Sequence, residues 1–269
     1  MNHANPVTRL ASCFTDTHTH LQMEEFHFKE NREEICFNLK KNDVRIINDV
    51  GYDLKSSMDS LSIHLGDGFE HYSFGGIHPH YAEKTLDCEI EKLDEAFSKK
   101  LFNGVGEIGI DRWWHKEENV IKRQRDVFIR QLEMAKYHNL PVMLHVRNAY
   151  QEVFDILKEF PSLKVDFHSF TGTTNELDYI CDRGYYFGIN GVITFKNSDL
   201  KNSLKRENIH LLLIESDAPY LSPVPHRGKR NMPYYIVETY KAVSSILDID
   251  LESLKDTVKY NFYEFISKD

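Results

Sequence analysis

Cysteine is scarce in this sequence: Cys13, Cys36, Cys88 and Cys181 are scattered over 269 positions with no Cys-x-x-Cys among them. That excludes a disulfide framework and reads as the reduced thiols of a cytoplasmic protein. Long apolar runs are missing too. No stretch approaches a bilayer span and the N-terminus carries no signal-like apolar run, so neither a membrane partner nor secretion is expected. Positive charge is in deficit, with 33 Lys and Arg against 42 Asp and Glu and a formal net charge of -9. The surface as a whole therefore does not advertise nucleic-acid binding, and an anionic substrate would need a local basic patch or metal ions. Internal repeats, low-complexity tracts and linkers are absent, which predicts one domain over residues 1–269, and no obligate protein partner is evident.

What is present is a globular composition, 41% hydrophobic and 28% charged, with 14 histidines. Eight short apolar runs recur: Cys13–Asp16, Arg45–Val50, His71–Gly76, Gly104–Ile110, Pro141–His145, Lys164–His168, Tyr185–Ile189 and Leu211–Glu215. Several are almost continuously apolar, the pattern of strands buried on both faces of a parallel sheet, and the last is the longest such run. Amphipathic segments lie between them. Glu89–Lys100, Val120–Asn139, Tyr150–Phe160, Thr174–Arg183, Leu200–Arg206 and Met232–Leu247 read as helices, and Leu251–Ile266 would close the fold. This alternation predicts a single (β/α)8 TIM barrel.

In such barrels chemistry sits at the carboxyl ends of the strands. The first run leads into His18 and His20, which on an extended backbone point the same way and present two imidazoles to one place. Asp16 is positioned to hold that pair from behind. The third run leads into His78-Pro79-His80, the fourth contains Glu107 and leads into Asp111, the fifth ends in His145, the sixth in His168, and the eighth leads to Glu215 and Asp217. Any one of these alone reads as a core histidine or a strand-end cap. Their gathering at one predicted barrel mouth points to a metal site.

The stretches Asp16-Thr17-His18-Thr19-His20, Gly76-Ile77-His78-Pro79-His80, Gly106-Glu107-Ile108-Gly109-Ile110-Asp111, Leu144-His145-Val146-Arg147, His168-Ser169-Phe170-Thr171-Gly172, Asn190–Lys196, Glu215–Leu221 and Arg227–Asn231 resemble the TatD family of metal-dependent deoxyribonucleases, within the amidohydrolase-like barrels. They follow the family's order over nearly the whole chain. Trp113-Trp114 is less typical of it.

The resemblance implies two divalent metal ions, Zn, Mg or Mn. His18, His20, Glu107 and Asp217 would hold the first, and Glu107, His145 and His168 the second, with Glu107 as bridge. Two such ions about 3.5–4 Å apart suit phosphodiester hydrolysis, because they stabilise both the entering and the leaving oxygen. Asp217 is expected as general base as well as ligand, or as ligand alone. Glu215 is expected either to assist at the substrate or to pack behind the ligands. For substrate contacts, His78 and His80 offer imidazoles, with a structural turn at Pro79 as the other reading. Arg227, Lys229 and Arg230 offer cations for phosphate. Arg112 with Trp113 and Trp114 forms either a shelf for an unstacked base or lid packing. The expected function is a metal-dependent deoxyribonuclease acting on DNA, single-stranded or at frayed ends. An amide, lactone or small-ester hydrolase on the same barrel is the alternative, and a non-catalytic barrel with a vestigial metal site is a third reading.

Overall fold

A computed structural model describes residues 12–267. Eight parallel strands form one sheet in strict chain order: β1 (Phe14–Thr19), β2 (Val44–Val50), β3 (Glu70–Gly75), β4 (Gly104–Asp111), β5 (Val142–Arg147), β6 (Val165–Phe167), β7 (Tyr186–Ile189) and β8 (Leu212–Ile214). The ends of the sheet meet. Thr17 Oγ1 donates to Ile214 O (3.1 Å), Asp217 N to His18 O (2.9 Å) and His20 N to Ala218 O (3.0 Å). The fold is a (β/α)8 TIM barrel.

The helices are α1 (Phe28–Lys41), α2 (Leu54–Ser60), α3 (Pro79–Ala82), α4 (Asp87–Ser98), α5 (Glu118–His138), α6 (Tyr150–Leu157), α7 (Thr174–Asp182), α8 (Leu200–Ser203), α9 (Ile236–Leu247) and α10 (Leu251–Ile266). Two apolar layers follow from the period of two along the strands. Ile47, Val142, Leu144, Leu212 and Ile214 face outward to the helices. Their neighbours Ile46, Met143 and Leu213 face inward, where Phe262 and Phe265 of α10 join them. The Phe74 ring completes this inner packing against Gly104, where an added Cβ would lie 2.2 Å from it. One end of the barrel is thereby filled with aromatic rings, and the polar side chains collect at the other.

The helices expected at Tyr150–Phe160 and Leu200–Arg206 end earlier, at Leu157 and Ser203, and three further details differ from the sequence expectation. β1 continues through Thr19 and does not stop at Asp16, so His18 is a strand residue with rigid backbone. β8 is only three residues long despite its long apolar run, because Leu211 lies in a 3-10 turn (Arg206–Leu211) and the chain leaves the sheet after Ile214. The segment expected as Met232–Leu247 opens with a 3-10 turn, Pro233–Tyr235, before α9.

Candidate metal centre

β1 brings the Nε2 atoms of His18 and His20 to 3.1 Å from each other. Each ring is held at its far nitrogen. His18 Nδ1 faces Met143 Sδ at 2.9 Å, and His20 Nδ1 donates to Val50 O at 2.7 Å. Asp16, expected behind these rings, acts on backbone instead. Its Oδ1 accepts from Ser216 N (2.8 Å) and His18 N (3.4 Å). It thus ties the start of the barrel to the segment that carries Asp217. That segment turns sharply: Asp217 has φ 53° and its Oδ1 stands 3.9 Å from His18 Nε2 and 3.7 Å from His20 Nε2.

Glu107, from the middle of β4, stands between two groups of imidazoles. Its Oε2 lies 3.6 Å from His18 Nε2 and 3.9 Å from His20 Nε2. Its Oε1 lies 2.8 Å from His145 Nδ1, 3.0 Å from His168 Nε2 and 3.4 Å from His78 Nε2. Gly109 allows β4 and β5 to approach here: a Cβ on it would meet His145 O at 1.9 Å.

His145 and His168 are in turn oriented by buried acids. Asp111 Oδ2 accepts from His145 Nε2 (3.0 Å) and from His80 Nε2 (2.9 Å). Glu215 Oε1 accepts from His168 Nδ1 (3.1 Å) and Ser169 N (2.7 Å). Glu215 is fully buried and fits only because Gly188 has no side chain, since a Cβ there would lie 2.5 Å from its Oε2. Of the two readings of Glu215, the geometry is that of packing behind a ligand ring, not of reaching the substrate.

Burial and charge set opposite tendencies in this cluster. Burial, with His168 and His20 nearby, holds His18 well below the ordinary imidazole value. Burial also lowers His78, to about 3. In His20, His145 and His168 burial lowers the pKa, but the facing carboxylates outweigh it and all three stand above the ordinary value. Burial would raise Glu107, yet His168, His78 and His145 hold it well below the usual carboxylate range. Raised imidazoles thus face a lowered carboxylate, and a cation bound among them would displace their protons.

Among the described residues three sets of side chains can hold a metal ion, their ligand atoms lying within 4.8 Å of one another: His18, His20 and Asp217; His18, Glu107 and His168; and His78, His80 and His145. All donors are imidazole nitrogen or carboxylate oxygen, a set that suits borderline and hard divalent ions.

These groups open on a cavity of about 800 Å3. His20, His78, His80, Glu107, His145, His168 and Asp217 line it. Arg112 is not brought to it, because its guanidinium is paired with Glu152 (2.7 Å) and Glu118 (3.2 Å). Arg227, Lys229 and Arg230 are exposed on the loop beyond Leu221, outside the lining. Arg227 lies over the Phe195 ring at 4.3 Å, and Arg230 donates to Glu25 O. The cation at the cavity is Arg147, and Tyr52, Tyr81, Trp114, His115 and Tyr220 also line it. Asp111 was visible at the end of the fourth run, but the fifth was read as ending at His145, so Arg147 two residues on was not singled out as a cation. No helix among the described residues is long and apolar enough to cross a membrane.

Comparison with known proteins agrees with this architecture. The family model for TatD related DNase matches residues 15–267. An uncharacterized metal-dependent hydrolase of Buchnera aphidicola is 31% identical over 257 residues, spanning 92% of this chain and 96% of that protein. The uncharacterized metal-dependent hydrolase YabD of Bacillus subtilis is 30% identical over 253 residues, spanning 91% and 96%. In fold, the chain superposes on YJJV, a TatD homolog of Escherichia coli K12, with a TM-score of 0.85 at 24% identity, covering 94% of this chain and 97% of that one. With a family model matched from the second residue of β1 to the end of α10, the chain belongs to the TatD related DNase family.

Proposed function

We propose that this chain is a divalent-metal-dependent hydrolase that cleaves phosphodiester bonds of DNA. The observation that carries the reading is the Glu107 carboxylate, whose two oxygens face two different sets of imidazoles. A carboxylate so placed suits two cations at once. His18, His20, Glu107 and Asp217 would hold one ion, and Glu107, His145 and His168 the other. Bound divalent ions would supply Lewis-acid activation of water and of a phosphoryl oxygen.

The chain's own residues do the rest. Asp217, at the cavity wall, takes the proton of the attacking water. Glu215 and Asp111 keep His168 and His145 in the ring orientation that exposes the nitrogen facing Glu107. Arg147 provides the positive charge of the cavity for a phosphate, and the imidazoles of His78 and His80 line the same cavity. The loop bearing Arg227, Lys229 and Arg230 extends that field for a longer polyanion. The name of the matched family and the metal-dependent hydrolases among the relatives support the reaction class.

The deciding experiment is an activity panel. Metal-reconstituted protein is offered single-stranded DNA, duplex DNA and a series of small esters, lactones and amides. Cleavage of single-stranded DNA with products ending in phosphate is expected. Turnover confined to the small esters, lactones or amides would replace this reading with the small-molecule one.

A further inference from the structure

Beside the main cavity lies a second cleft of about 710 Å3. Arg147 and Thr171 line both, so the two openings adjoin at a ridge formed by these residues. On the other side of this ridge Trp113 lines the second cleft, while Trp114 lines the main cavity. The two indoles are 54% and 65% exposed, which is unusual for residues whose burial would be worth so much. They are held out deliberately by geometry. Asp111 Oδ1 accepts from both Trp113 N (2.8 Å) and Trp114 N (2.9 Å), while its Oδ2 accepts from His145 Nε2 (3.0 Å). The turn that presents the indoles is therefore fixed to the same carboxylate that orients a ring of the metal centre. Arg112 braces it from below through Glu152 and its backbone bond to Arg147 O (2.9 Å). The Arg147 guanidinium lies 5.2 Å from the Trp113 ring.

We infer that the second cleft is a subsite for an unstacked base of a single nucleic-acid strand, with Trp113 as its stacking surface and Arg147 as the cation for the phosphate crossing the ridge. The inference rests on the proposed phosphodiester reading and names the part of the substrate next to the bond being cut. Charge decides which part of a nucleotide goes where. The second cleft contains the acids Glu176 and Asp199 beside Asn148 and Asn202, which repel a phosphate but accept hydrogen bonds from a base amino group. The phosphate belongs at Arg147, between the two openings. A base held by its π-face is recognised with little sequence preference, and a paired duplex cannot offer it.

The test uses the fact that Trp113 and Trp114 are the only two tryptophans of the chain. In the Trp114→Phe protein all indole emission comes from Trp113. Titration with a deoxycytidine hexanucleotide, whose bases carry an amino group, is expected to quench that emission saturably, and a blunt duplex long enough to stay paired is expected to leave it unchanged. Trp113→Ala is expected to raise the Kd of a labelled hexanucleotide by about 5- to 150-fold, with Trp113→Tyr restoring most of the affinity. Arg147→Gln is expected to flatten the salt dependence of that Kd. Unquenched emission under saturating hexanucleotide, or a Kd indifferent to Trp113→Ala, would overturn the subsite. Because these readouts need no turnover, a protein that quenches but does not cut DNA keeps the subsite and loses the phosphodiesterase reading. One that cuts without quenching does the reverse.

Discussion

Asp111 and His145 are locked to each other: the carboxylate Oδ2 lies 3.0 Å from the ring Nε2, and the ring's Nδ1 faces Glu107 at 2.8 Å. A carboxylate only accepts, so Nε2 keeps its hydrogen on Asp111, and Nδ1 is the nitrogen that would give up its proton, now directed at Glu107, to bind an ion. Asp111→Asn presents a donor where an acceptor is needed and favours the other tautomer. We expect the affinity of one of the two ions to fall by about 10- to 100-fold while the other is retained. Titration of metal-loaded protein with a competing chelator measures this, and two unchanged affinities would remove Asp111 from the role.

Glu107 is the shared element of both proposed ion sites. Glu107→Ala should lower the content of both ions, whereas His145→Ala or His168→Ala should empty chiefly one. Elemental analysis of the purified variants gives the answer directly. Full metal content in Glu107→Ala would rule out its role as a bridge.

Asp217 is expected to carry the proton. Asn at this position keeps the size and one ligand oxygen but loses the basic one. At equal metal content, Asp217→Asn should bind substrate almost normally and lose turnover by about 10²- to 10⁴-fold. A parental rate across the pH range would leave this carboxylate with no part in the chemical step.

Metal binding should release protons. His20, His145 and His168 are held above the ordinary imidazole value once their facing carboxylates outweigh burial. In the metal-free protein they therefore carry protons to higher pH than free imidazole does. A protonated nitrogen cannot ligate, so affinity for the ion rises with pH and levels off once these rings have lost their protons. Calorimetry in two buffers of different ionisation heat reports the number released. A buffer-independent heat at pH 6.5 would contradict this account.

Gly109 has φ 148°, and a Cβ there would sit 1.9 Å from His145 O. Gly109→Ala must shift β5 or unfold it locally. We expect a loss of at least about 2 kcal/mol in stability together with weakened metal binding, because His145 moves with its backbone. Chemical denaturation and the chelator titration read the two effects separately.

The barrel and its mouth were largely legible because two simple periods announce them. Alternation along β1 aims His18 and His20 together, and near-continuous apolar runs mark β5 and β8 as strands covered on both faces. α1 and α2 were not legible. Half of α1 is Lys, Glu and Arg, it has no side-chain cap, and the residue before it, His27, has φ 43°. α2 buries Ser56, Ser57 and Ser60, which no hydrophobic pattern reveals. The role of Asp16 was misjudged for a different reason. Its place in sequence suggested the rings of its own strand, but its main partner is Ser216, 200 positions away. Arg112 looked available as a lone cation after Asp111, and only the fold brings Glu152 to it.

The seam between the two ends of the sheet is made by the proposed ligands themselves: Asp217 N donates to His18 O, and His20 N to Ala218 O. In chain order both histidines precede Asp217, their carboxylate partner across the seam, by some 200 residues. During synthesis the proposed ion would therefore have no complete pocket to enter, and its capture would report that the first strand has found the last. An ion held by these side chains would act as a clasp across the one joint that sequence-adjacent strands do not make. Chelation should accordingly loosen β1 and β8 ahead of the middle strands, an order that hydrogen exchange resolves strand by strand.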